Sequence, residues 1–306
     1  MKTVVMPSTK ALTMHPSSIR PAAMALSALG AAMIVASAGA HAADPIDKSR
    51  YSVFNPTPDS ALRDFAADRP AKSFGPGTID AGRLQAELEI VNYGVTNANG
   101  VTTRLLVGPN PTLRLGVTSN IELQAQFAPW QRVTQKTDGI VGDDSQTGPS
   151  DLFLRSKINL WGNEGGPSAL AIMPYVKVPT APTTLLGNGR TEGGFIVAAT
   201  RDLGNSITLT TNSEGDWLKN AADTGYHGQY QGTLGLSGPI AKDLTLTAEL
   251  WTSVNWDPTG TVRQSSFDVA LARMVSKNVQ LDLGANFGLT KDTPAVQVYT
   301  GITRRF

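Results

Sequence analysis

From Arg83 to the last residue, apolar and polar positions alternate in short bursts separated by turn-forming residues. In Arg83 to Val91, Leu84, Ala86, Leu88 and Ile90 share one parity, and Arg83, Gln85, Glu87 and Glu89 share the other. A period of two describes a strand with two different faces. The pattern recurs in Val101 to Val117, where Leu105, Val107, Leu113 and Leu115 oppose Arg104 and Arg114. It recurs again in Ile121 to Gln131, where Ile121, Leu123 and Ala125 oppose Glu122, Gln124 and Gln126. Further bursts run through Asp151 to Trp161, Ser168 to Pro179, Glu192 to Leu203, Ser206 to Trp217 and Tyr226 to Leu236. Leu244 to Trp256, Ser265 to Val275, Val279 to Leu289 and Ala295 to Phe306 bring the expectation to about twelve strands.

Spacing predicts the topology. Connections at Thr118 to Asn120, Gly162 to Pro167, Leu203 to Asn205, Ser237 to Asp243 and Val275 to Asn278 are short. Those at Val133 to Gly148, Thr180 to Thr191, Glu214 to Thr224 and Asp257 to Arg263 look longer and richer in Asp, Gly and Thr. Alternating short turns and longer loops point to an all-β fold, a transmembrane antiparallel up-and-down β-barrel in outer-membrane lipid with both termini periplasmic. Pro109, Pro111 and Pro174 fall inside predicted strands and are expected to mark bulges or breaks, because proline cannot donate to a ladder.

Before the strands, residues 1–42 hold Lys2, Lys10 and Arg20 without an acid, an apolar run from Ala22 to Ala36, and the triplet Ala40-His41-Ala42. These read as a signal peptide cleaved after Ala42. Residues 43–82 are polar and punctuated by proline, and are expected to form a periplasmic leader that tucks into the mouth of a barrel spanning 83–306. Without the signal peptide, 23 basic residues face 25 acidic ones, a formal charge of about −2, which gives no reason to expect a nucleic-acid partner. The absence of cysteine excludes disulfides and thiolate sites. No metal or other cofactor is expected.

Ionisable residues inside the strands supply the candidate chemistry. Arg83, Glu87, Arg104, Arg114, Glu122, Asp151, Arg155, Lys157, Lys177, Glu249, Asp268 and Asp282 would each be costly in hydrocarbon, so all are expected to face the lumen. There they either line a selective channel or pair across strands and fill a narrow barrel. Trp217, Tyr226 and Trp256 share the lipid parity near one rim, whereas Trp130 and Trp161 fall on the lumen parity, so the register slips there or they line the mouth.

The closing strand, which ends in Phe306, resembles the last strand of bacterial outer-membrane barrels, in which the terminal Phe is part of the signal read by the barrel assembly machinery. Arg304 departs from that pattern. Gly148 to Leu154, followed by Pro174 to Thr180, resembles paired strands of the MetA-pathway of phenol degradation family, while Asp68 to Glu87 is similar to that family's entry segment and Leu113 to Leu123 to its next hairpin. That resemblance implies an outer-membrane barrel passing small hydrophobic or aromatic molecules. No enzyme is expected. His227 is the one histidine after the signal peptide, and Gln229 stands where an outer-membrane phospholipase would carry its serine. A passive channel and a non-conducting structural or adhesive barrel remain the two function classes.

Overall fold

The computed structural model describes residues 47–222 and 224–306, so the expected signal peptide lies outside the described residues. The first strands are β1 (Leu84–Ala98), β2 (Val101–Val107), β3 (Asn110–Gly116), β4 (Ile121–Gln126) and β5 (Gln131–Thr137). β6 (Asp144–Gly148), β7 (Leu152–Trp161), β8 (Ser168–Val178), β9 (Glu192–Asp202) and β10 (Thr208–Lys219) follow. β11 (Tyr226–Ala241), β12 (Leu244–Asp257), β13 (Gly260–Ser276), β14 (Val279–Gly288) and β15 (Val296–Arg305) complete the sheet. Every pairing is antiparallel between neighbours, and β15 pairs with β1, closing the sheet on itself. β2 with β3, β4 with β5, and β6 with β7 are halves of three longer barrel strands. The result is a closed twelve-stranded antiparallel barrel, in agreement with the alternation.

The three interruptions lie side by side. Gly108 N–H donates to Trp130 O, and Ser150 N–H donates to Ala128 O at 2.8 Å, so the breaks at 108–109, 127–130 and 149–151 form a row across the wall. Pro109 lies in this row, and Pro174 sits where the β7–β8 ladder skips from Arg155↔Tyr175 to Ile158↔Ile172. Pro111 is tolerated in β3 opposite Leu88. A one-residue slip exchanges the two faces of a strand. Below the row, Leu113, Leu123 and Leu154 face outward, and Arg114, Glu122 and Arg155 face inward. Above it, Leu105 and Val107 turn inward and pack with Ala128, Val133 and Leu186. Arg104 is consequently exposed on the outer wall, which corrects its expected lumen position. The same slip places Trp130 outside, at 38% exposure, and a bulge between Asn159 and Trp161 sets Trp161 opposite Leu170.

Polarity is inverted relative to a water-soluble protein. Leu236, Leu250, Phe267, Leu283 and Val298 are exposed on the outside, while Gln85, Glu87, Arg114, Glu122, Lys157, Glu249 and Asp282 are buried inside. That distribution suits a wall between hydrocarbon and a polar lumen. At the end carrying the C-terminus, the connections are short, as expected. Of the connections expected to be long, 138–143, 220–225 and 258–259 are shorter than predicted, and 179–191 matches its long loop among the described residues. β5 and β6 run on into the segment expected to be a loop, because beyond the hydrocarbon both faces meet water and alternation fades while backbone pairing continues. Trp217, Tyr226 and Trp256 are exposed near this outer rim. At the other rim, Phe306 N–H donates to Leu84 O, and the Arg304 guanidinium lies 4.8 Å over the Phe306 ring. Arg304 therefore reaches along the wall to the interface.

Candidate functional site

The lumen is occupied by the chain's own leader. At the end of the barrel that carries the C-terminus, Lys48 Nζ lies 3.0 Å from Glu164 and 3.4 Å from Asp80, and Arg63 also pairs with both acids. From there the leader climbs to residues 68–75 and returns through 76–82 into β1. Its apex meets partners midway along β10, β12, β13 and β14, so it reaches far deeper than the expected mouth position.

An irregular segment at membrane depth has no ladder to satisfy its backbone, and buried peptide groups require partners. Wall side chains supply them. Asp68 N–H donates to Glu87 at 3.0 Å, Lys72 and Ser73 N–H groups both donate to Glu249, and Ile79 N–H donates to Glu122 at 2.6 Å. Asn212 accepts from Phe74 N–H and donates to Phe74 O, pinning that residue from both sides. Phe74 itself packs on Met173, Ile196 and Ala198, an apolar seat inside an otherwise polar lumen.

Charge pairing reinforces this mould. Asp68 sits 2.7 Å from Lys157 Nζ and 3.4 Å from Arg114, whose guanidinium also holds Glu87 at 2.7 Å and Glu122 at 2.9 Å. Arg69 binds Asp282 at 2.6 Å and Glu89 at 3.3 Å, while Lys72 binds Asp268 at 2.8 Å. Gly301 makes the Arg69 contact possible, since a Cβ there would lie 2.5 Å from its Nη2. The wall charges therefore pair across strands in part, as with Arg114 and Glu122, but many of them grip the leader. Arg83, at the foot of β1, donates to Thr57 O and pairs with Asp59. Toward the outer rim, Lys177 bridges Asp151 at 2.9 Å and Glu192 at 3.0 Å, and Asp151 accepts Ala181 N–H from the 179–191 loop. His227 is tucked against Asn220 and Asp257.

Arg155 differs from the other inward cations. Among the described residues it forms no ion pair, and its guanidinium lies 5.0 Å from the Phe153 ring and 5.7 Å from the Phe74 ring. Two cavities meet at Arg155 and Phe74. One adds Phe153, Tyr175, Glu214, Asp216 and Gln231 to its walls; the other is bounded by Glu89, Asn110, Thr112 and Gln126, and each leaves about 30 Å³, room for a water or two. Tyr175 lines the first cavity and donates to Asp216 at 2.6 Å.

Sequence reasoning missed the leader's half of the site: Asp68, Arg69, Lys72 and Phe74. One signal was available. Glu249, Asp268 and Asp282 lie on β12–β14 without an inward base on those strands to balance them, so cations had to arrive from elsewhere.

Among solved structures, the fold overlays on the COG4313 outer membrane channel from Pseudomonas putida F1 with a TM-score of 0.62 at 18% identity, covering 78% of this chain and 99% of that one. The NanC porin overlays with a TM-score of 0.45 at 8% identity, covering 72% of this chain and 98% of that one. The translocator domain of autotransporter NalP from Neisseria meningitidis overlays with a TM-score of 0.45 at 11% identity, covering 73% and 88%. A comparison with curated protein sequences finds no match. The profile of the family described as "Putative MetA-pathway of phenol degradation" matches residues 67–306, from the leader apex through the whole barrel, and the chain belongs to that family.

Proposed function

We propose that this protein is an outer-membrane channel for passive passage of small molecules, and that single-ring aromatic or hydrophobic solutes with a polar edge are its favoured class. The observation behind this reading is the Arg155 guanidinium, without an ion pair among the described residues, between Phe74 and Phe153 where two lumen cavities meet. A planar cation between two rings offers stacking on its face and hydrogen bonds at its edge. Solute uptake into proteoliposomes tests it. Benzoate or phenol should enter faster than a neutral sugar of similar mass, and Arg155→Leu should remove that preference. Equal rates for both solute classes in the wild type would refute the aromatic reading.

The second reading is a non-conducting structural or adhesive barrel, favoured by the tight seat of Phe74 and the leader's ion pairs. Single-channel recording separates the two, since a non-conducting barrel gives no steps above baseline. Cleavage after Ala42 and recognition of Phe306 by the barrel assembly machinery belong to the same proposal.

A further inference from the structure

The parity switch above the row of breaks brings three cations together outside the barrel. Arg104 on β2 lies opposite Thr134, and Arg132 and Lys136 flank Thr134 on β5. Arg104 is thus diagonal to both, roughly 7–8 Å away by sheet geometry. All three side chains are exposed, and none forms an ion pair among the described residues. Their outward neighbours are the apolar Val95 and Leu106 and the hydroxyl and amide groups of Asn97, Thr102, Thr134, Ser145 and Thr147, with no acid among them. Arg132 Nε donates to Ser145 Oγ at 2.9 Å, which orients its fork. The nearest acids, Asp138, Asp143 and Asp144, lie at the β5–β6 tip, where Asp144 pairs with Gln135 on the inward parity.

Height identifies the surroundings. Leu106, next but one to Arg104, pairs with Tyr93 on one side and Arg132 on the other, so Arg132 lies level with an exposed tyrosine, and Arg104 and Lys136 lie farther toward the outer rim. Charges on the lipid face are costly near the midplane and cheap at the interface. Three like charges within a few residues repel one another unless an anion sits among them.

We propose that the outer face of β2 and β5 binds the phosphate groups of a phosphorylated glycolipid of the outer leaflet. The side chains of Arg104 and Arg132 present planar forks suited to phosphate oxygens, and Lys136 adds a point charge. This rests on the outer-membrane placement and is independent of conduction.

The test uses the full-length purified protein in phosphatidylethanolamine vesicles titrated with bis-phosphorylated lipid A, with dephosphorylated lipid A, or with inorganic phosphate alone. Lipid A should raise the wild-type thermal midpoint. The combined variant Arg104→Gln, Arg132→Gln and Lys136→Gln should lose roughly 100-fold in apparent affinity. Arg104→Gln alone should lose about 5-fold, a readout that survives should the combined variant assemble poorly. Lys242→Gln with Arg273→Gln, at the periplasmic end, should bind as wild type. Undiminished binding by Arg104→Gln and by the combined variant overturns the proposal. So do equal binding of dephosphorylated lipid A and an equal shift with inorganic phosphate alone.

Discussion

Asp68→Asn, combined with Arg69→Gln, asks whether the leader closes the lumen. Asp68 joins a cluster of two cations and three anions: Arg114 and Lys157 with Asp68, Glu87 and Glu122. Neutralising Asp68 takes that cluster from one excess negative charge to balance, and Lys157 keeps Glu122 at 3.6 Å. The wall should therefore tolerate the change, and the loss should fall on leader attachment. Asp68 accepts from Lys157 at 2.7 and 2.9 Å and from Gln124 at 3.0 Å. Hydrogen bonds to charged groups are worth roughly 1.5–3 kcal/mol each net, but asparagine retains part of the set, so about 2–3 kcal/mol is expected. Arg69→Gln removes the bidentate pair to Asp282 and the Glu89 contact, worth a similar amount. Together they weaken seating by about 4–6 kcal/mol, a shift of about a thousandfold or more in the seated-to-released ratio. Planar-bilayer recording should show more frequent and larger openings, and protease added on the periplasmic side should cut the leader while sparing the barrel. Conductance at the wild-type level despite a cleaved leader would refute the idea that the leader occludes a conducting path.

Three further outcomes are expected. Leu154 faces outward at 41% exposure, so Leu154→Arg should destabilise the barrel by roughly 2–4 kcal/mol in bilayer unfolding titrations if it lies near the midplane, whereas Arg155→Leu should keep the fold. Deleting Phe306 should lower the yield of the heat-modifiable folded form without affecting export, as read by unboiled gels of membrane fractions. Where Lys48 and Arg63 latch the leader, burial raises the Glu164 carboxyl, but hydrogen bonds and charge from Arg63 and Lys48 outweigh it and hold it below its ordinary value. A depressed carboxyl stabilises above its unfolded value, about 4.3, and loses that contribution as pH falls through the folded value. Leader proteolysis should therefore accelerate in acid, and Glu164→Gln should flatten that dependence while raising cleavage at neutral pH.

Alternation in β7, β12 and β15 sufficed to reveal a barrel, its strand number and the inward parity of Arg155, Glu249 and Asp282, because the face of a strand residue follows from its neighbours two positions away. Arg104, Leu105 and Val107 were assigned to the wrong faces for the same reason. Period two is a local signal, and the break at Gly108-Pro109, aligned with those at 127–130 and 149–151, inverts everything beyond it without changing any residue's own pattern. The leader shows a different limit. Residues 68–79 carry no period because their backbone partners are side chains of Glu87, Glu122, Asn212 and Glu249, drawn from strands far apart in sequence. Whether those carboxylates meet water, one another or Asp68, Arg69 and Lys72 depends on closing the barrel around the leader, which is a property of the tertiary structure alone.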